Sequence, residues 1–163
     1  MNTMIRDINA SDLDVVLSLN QSEVPHVGDV DLSRMRWFVS NAAYFRVVSH
    51  NGNLAAFLIG MRPGTAYKSP NYRWFCERYD DFGYIDRVAV SESARCQGLA
   101  SRLYDDFARA IPASVKILTC EVNIKPPNEL SMQFHHKLGF RQVGSLQSDG
   151  GAKEVAMLAK NLR

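Results

Sequence analysis

The chain has no cysteines at metal-ligand or redox spacing. Its three cysteines, Cys76, Cys96 and Cys120, stand far apart, with no CxxC and no histidine set at a zinc-site interval. An odd, scattered set argues against a disulfide framework and suits free thiols in a reducing compartment. Long apolar runs are missing too. Nothing approaches the roughly 20 residues that cross a bilayer as a helix, and the opening MNTMIRDINASD lacks the apolar centre of a secretory signal. Asn2 stands where N-myristoylation needs glycine. Charge of one sign is scarce: 19 Lys and Arg against 17 Asp and Glu leave +2, too little for a nucleic-acid footprint. Neither a Walker Gly-Lys-Ser/Thr nor a dinucleotide G-x-G-x-x-G occurs. The expectation is a cytoplasmic protein with no metal, membrane or nucleic-acid partner.

What is present is material for one core. Apolar residues make up 46% of 163 positions and charged residues 22%, which suits a folded domain and not a disordered chain. Met4–Ile8 reads as a strand. Ala10-Ser11-Asp12 caps a helix with Leu13, Val16 and Leu17 near one stripe, and Asp31 caps a second through Met35, Phe38 and Val39. Glu23–Asp29, with Pro25 and Gly28, reads as a loop. Tyr44–Ser49 and Leu54–Met61 flank Asn51-Gly52, a strong hairpin signal. Arg62–Asp81 is a long irregular connection in which Tyr72–Phe75 start a short helix. Tyr84–Val90 is a strand, Gln97–Ile111 a helix with Leu99, Leu103, Phe107 and Ile111 on one stripe, and Val115–Asn123 a strand. Asn128–Leu138 is a helix closed by Gly139, and Phe140–Leu146 pairs with Val155–Leu162. No linker or repeat interrupts this order, so residues 1–163 are expected to form a single α+β domain with a mixed sheet.

One junction asks for chemistry. Between the Tyr84–Val90 strand and the following helix lies Ala94-Arg95-Cys96-Gln97-Gly98-Leu99-Ala100-Ser101. Strand, glycine-containing turn, helix and strand make a βαβ unit with parallel strands. The first N–H groups of its helix have no partners within the helix and carry partial positive charge, so they favour an anion. Gly98 lets a phosphate approach the backbone, Ala100 and Ser101 keep the next turn small, and Arg95 adds a permanent charge. A tight turn eased by Gly98, with Arg95 as a solvated surface charge, is the alternative.

Arg95-x-x-Gly98-x-Ala100 resembles the pyrophosphate signature of the GNAT acetyltransferases, Arg/Gln-x-x-Gly-x-Gly/Ala between a strand and the next helix. The segment from Asn128 through Phe134, His135 and His136 to Lys137-Leu138-Gly139-Phe140 is similar to the family's C-terminal motif, and one strand separates the two blocks. The close matches run from about Tyr84 to Gly144. The resemblance implies a GNAT-like fold, a mixed central sheet flanked by helices around a βαβ acyl-CoA-binding core. It implies acetyl-CoA as donor and an amine as acceptor. Val88, Ala89 and Val90 would pair with the pantetheine arm, and the amides from Cys96 to Ser101 (Cys96, Gln97, Gly98, Leu99, Ala100, Ser101) would hold the pyrophosphate. Asn123 and Asn128 would lie near the pantetheine. The amine would attack the thioester directly, with backbone N–H groups on the oxyanion. Members of the family often pair, so a homodimer stays open. A catalytically silent acyl-CoA-binding or regulatory module is the competing reading.

Amine attack needs a proton acceptor, and the leaving thiolate can take a proton. Along Lys116–Asn123, Ile117, Thr119, Glu121 and Asn123 share one face. Glu121 is expected at the carboxyl end of its strand, on the same sheet edge as the turn, and is the first candidate base; an edge glutamate in an ion pair is the alternative. Asp86 is the second candidate, with an ordinary pairing to Arg87 as its alternative. His135 stands where many family members carry the tyrosine that protonates the CoA sulfur. Imidazole chemistry permits that role, and a half-buried hydrogen-bonded histidine is the alternative. The resemblance puts the acceptor near Glu23–Val30 and Arg62–Phe82. In the second segment Tyr67, Tyr72, Trp74, Phe75, Tyr79 and Phe82 either form an aromatic lip for a cation or pack the connection onto the sheet.

Overall fold

The computed structural model describes residues 2–163. Its elements are β1 (Thr3–Asp7), α1 (Leu13–Ser22), α2 (Leu32–Asn41), β2 (Tyr44–His50), β3 (Asn53–Met61), α3 (Pro70–Cys76) and β4 (Gly83–Val90). They continue with α4 (Leu99–Ala110), β5 (Ile117–Lys125), α5 (Glu129–Lys137), β6 (Arg141–Ser148) and β7 (Lys153–Asn161). Caps explain the helix starts. Asp31 accepts the Arg34 N–H before α2, Ser69 accepts the Tyr72 N–H before α3, and Asn128 accepts the Ser131 N–H before α5. Pro70 takes the first position of α3, where its missing N–H costs nothing. Asn51 and Gly52 both have positive φ, 53° and 82°, as the tight β2–β3 hairpin requires.

The strands form one mixed sheet in the order β1-β2-β3-β4-β5-β7-β6. By contact the chain divides into two compact units, one holding the residues up to Met61 with Ile85–Ile111, the other Arg62–Tyr84 with Pro112–Arg163. In the first unit β1, β2 and β3 are antiparallel neighbours. From Ala55 to Met61 every residue of β3 is buried, so this strand is covered on both faces. Leu99, Leu103 and Phe107 of α4, with Ile111 just beyond, form the buried stripe its spacing predicts, and the helix packs against β2 and β3. Each such side chain contributes about 1.5–3 kcal/mol on burial.

In the second unit Gly83 and Tyr84 pair in parallel with Leu118 and Thr119 of β5. This is the parallel arrangement expected of the βαβ order. β5, β7 and β6 follow as an antiparallel set. β5 starts and ends two residues later than its pattern suggests, running through an irregularity between Asn123 and Lys125. Glu121 is therefore the middle residue of the strand, not its carboxyl end, a correction to the expected placement. No helix among the described residues is long and apolar enough to cross a membrane.

Candidate active site

The turn into α4 lies in the first unit. After the 3-10 turn Glu92–Ala94, Arg95 is extended, Cys96 has φ +63° and Gly98 has φ +75°. Two residues of positive φ within three make a turn of the kind that can gather amides about an anion. The first i→i−4 bond of α4 is Arg102 N–H to the Gly98 carbonyl. The amides of Leu99, Ala100 and Ser101 precede it and have no partner in the helical ladder. Gly98 is needed for its φ. A Cβ there would meet nothing within 4 Å, so the space beside it is open. Leu99 is buried and anchors the helix start, while Arg95, Cys96 and Gln97 are exposed. The Arg95 guanidinium is in an ion pair with Glu23, which follows α1 directly. The sequence stretch gave no hint of this partner, 72 residues away.

On β4, Val88 and Val90 are partly exposed and Ala89 is buried. They lie along the strand beyond its two pairs with β5. In the second unit Asn123 and Asn128 meet through the backbone, the Asn128 N–H donating to the Asn123 carbonyl at 3.0 Å. The Asn128 side chain is engaged as the α5 cap.

Glu121 is partly buried and accepts from Tyr84 and Asn71. The Tyr84 hydroxyl lies 2.9 and 2.8 Å from its two carboxylate oxygens, and the Asn71 amide donates to Oε1 at 3.1 Å. Tyr84 is fully buried. Burial drives the adjacent Cys120 thiol well up, with the Glu121 charge adding to it, so that thiol is neutral. Neither Tyr84 nor Asn71 could be tied to Glu121 from the sequence: they stand 37 and 50 residues away.

Asp86, in the first unit, belongs to a different constellation. Its side chain is 4% exposed and accepts from the Arg87 Nε at 2.7 Å. Arg87 in turn donates through Nη1 to Asn20 Oδ1 at 3.0 Å and to the Gly28 carbonyl at 3.1 Å, with its guanidinium over the Phe38 ring. A buried arginine needs a counter-charge, and Asp86 is that charge.

His135 is 4% exposed, between the rings of Phe134 and Phe140. Its Nδ1 lies 2.7 Å from the Ser131 carbonyl, which can only accept, so Nδ1 carries the proton. Burial is the first cause lowering its pKa below 6.5, partly offset by that bond, with His136 lowering it further. The ring is thus neutral near pH 7, and an acid at Nε2 would need a second proton taken up against burial.

The aromatic-rich connection resolves toward packing. Tyr72, Phe75 and Phe82 are buried with Tyr84. Their ring centroids are 5.6–6.3 Å apart. The Tyr72 hydroxyl donates to the Arg62 carbonyl at 2.7 Å. The close cation contact in this segment is internal, Arg78 over Trp74 at 3.6 Å.

Residues 13–140 match the family model described as Acetyltransferase (GNAT) family. Ard1 from Thermoplasma volcanium is similar in structure, with a TM-score of 0.79 at 17% identity over 100% of this chain and 99% of that one. The ribosomal-protein-S18-alanine N-acetyltransferase from Escherichia coli matches with a TM-score of 0.70 at 17% identity, covering 98% and 94%. Naa20 from Chaetomium thermophilum, solved with a bisubstrate analogue, matches with a TM-score of 0.75 at 17% identity, covering 98% and 86%. At such identities the likeness is one of fold. Comparison with curated protein sequences finds no match.

Proposed function

Because the chain belongs to the acetyltransferase (GNAT) family, we propose that residues 1–163 are one domain that transfers an acetyl group from acetyl-CoA to a primary amine. The observation that carries this reading is the turn before α4, where Cys96 and Gly98 have positive φ and three ladder-free amides follow. That arrangement suits a pyrophosphate. In this reading the amides from Cys96 to Ser101 hold the pyrophosphate and Arg95 stands at its rim. Val88, Ala89 and Val90 pair with the pantetheine, and Asn123 and Asn128 lie near it.

The amine nitrogen attacks the thioester carbonyl carbon, the carbon–sulfur bond breaks, and the proton shed by the amine must go to a base. Glu121 is that base. It is a carboxylate that accepts from the Tyr84 hydroxyl and the Asn71 amide, and a carboxylate can take the proton. Asp86 is the counter-ion of Arg87, and His135 serves packing at neutral pH. The acceptor is a small-molecule amine or a protein N-terminus. The ribosomal-protein-S18-alanine N-acetyltransferase among the fold's neighbours makes the second class a natural first panel.

Two measurements test the reading. Calorimetry should find acetyl-CoA binding, and no heat at millimolar ligand sinks the donor assignment. CoA release is then followed with a panel of small amines and peptide N-termini. Binding without release on any of them would make the chain an acyl-CoA-binding module instead.

A further inference from the structure

The connection between β3 and β4 supplies a helix that reaches the proposed base. A carboxylate can only accept, so Asn71 must turn its amide nitrogen toward Glu121 Oε1, at 3.1 Å. Asn71 is in the first turn of α3, and that helix is firmly mounted within its unit. Ser69 caps it, Tyr72 and Phe75 are buried beneath it, and Tyr72 is tied to the Arg62 carbonyl. Trp74 packs against Gly144 of β6, where a Cβ would come within 2.4 Å of the indole. The Arg78 guanidinium lies over that ring, 3.6 Å from its centroid. The Asn71 amide is therefore delivered by a packed element, not by a mobile surface side chain.

We infer that Asn71 is a positioning residue for Glu121, its amide orienting the carboxylate and holding it in the ionised form. The inference rests on the reading of Glu121 as base. The carboxylate meets Tyr84 from β4 and Asn71 from α3; Cys120 precedes it on its own strand, and β7 pairs Met157 with it. Tyr84 and Asn71 donate to the carboxylate, and burial keeps the Cys120 thiol neutral. A donor to the charged form makes a carboxyl more acidic, so losing one makes it harder to ionise.

The test uses Asn71→Ala and Asn71→Asp in the full chain. The aspartate keeps the shape, suits the first turn of a helix, and replaces the donor by a like charge. The first readout is a 13C NMR titration of the Glu121 carboxyl carbon, assigned by its loss in Glu121→Gln. Its midpoint should rise by about one pH unit in Asn71→Ala, the worth of one hydrogen bond to a charged group, and further in Asn71→Asp. An unmoved midpoint in both variants overturns the inference, whatever the role of Glu121. The second readout is the acid limb of kcat/KM. It should rise with the carboxyl midpoint, which below the limb is about a tenfold loss per unit, with acetyl-CoA affinity unchanged. A Glu121→Gln protein that keeps the wild-type limb removes the base assignment, and the positioning role with it, even if the NMR midpoint moves.

Discussion

Glu121 and His135 share a unit but have opposite surroundings. The glutamate meets a phenol and an amide, both donors, on a strand that is only partly buried there. The histidine meets two aromatic rings and, at Nδ1, the carbonyl and hydroxyl of Ser131. The first environment keeps a charge and the second rejects one. Glu121→Gln removes the acceptor without changing size. Its kcat, read by CoA release on an accepted amine, should fall about a hundredfold or more, the usual scale of a lost general base, while acetyl-CoA affinity stays within measurement error. His135 should show itself in stability. Its folded-state pKa is lowered from 6.5, so the unfolded chain takes up this proton more readily than the folded one. The sign follows: the contribution is full above pH 6.5 and is lost as the pH falls through the folded value. Thermal melts from pH 8 to pH 5 should show the wild-type Tm dropping more steeply than that of His135→Gln. Equal slopes would mean that His135 does not govern this acid sensitivity.

At the scale of elements, the turn into α4 shows what a local reading can and cannot supply. Gly98 has φ +75°, so Gly98→Ala forces a side chain into the left-handed region. It should cost about 1 kcal/mol of stability and weaken acetyl-CoA binding by calorimetry, because the amides after it no longer converge. The glycine, the helix stripe and the caps at Asp31 and Asn128 were legible because each depends on a few neighbouring residues. The positive φ of Cys96 was not, since no side-chain preference announces it. Nor was the Arg95–Glu23 pair, which needs the tertiary fold to bring the two together. That pair has a consequence for the donor. In the proposed function Arg95 serves a phosphate, and Glu23 competes for the same guanidinium. An exposed ion pair is worth about 0.2–1 kcal/mol, so Glu23→Gln should tighten acetyl-CoA binding by no more than about fivefold. A loss of affinity would mean that Glu23 orients Arg95 instead of competing with it.

Across the whole molecule, polar groups that resemble one another in sequence serve different ends. The strand Gly83–Val90 contributes Tyr84 to the carboxylate of one unit and Asp86 with Arg87 to the interior of the other. Parity along the strand could not separate these uses. A carboxylate such as Asp86 inside an apolar strand demands a reason. That reason lies with Asn20 and Gly28, which engage Arg87 from far along the chain. The two aspects can be separated by measuring stability and turnover together. Asp86→Asn leaves the Arg87 charge buried without its counter-ion, a change that costs about 3–5 kcal/mol when a buried pair loses one partner. Glu121→Gln exchanges a half-buried carboxylate for an amide of the same size. Denaturant unfolding should therefore show a large loss for Asp86→Asn and a small one for Glu121→Gln. At a temperature where both remain folded, turnover should fall far more in Glu121→Gln. The reverse pattern, a stable Asp86→Asn protein without activity, would move the base from the second unit to the first and make the Arg87 pairing part of the chemistry.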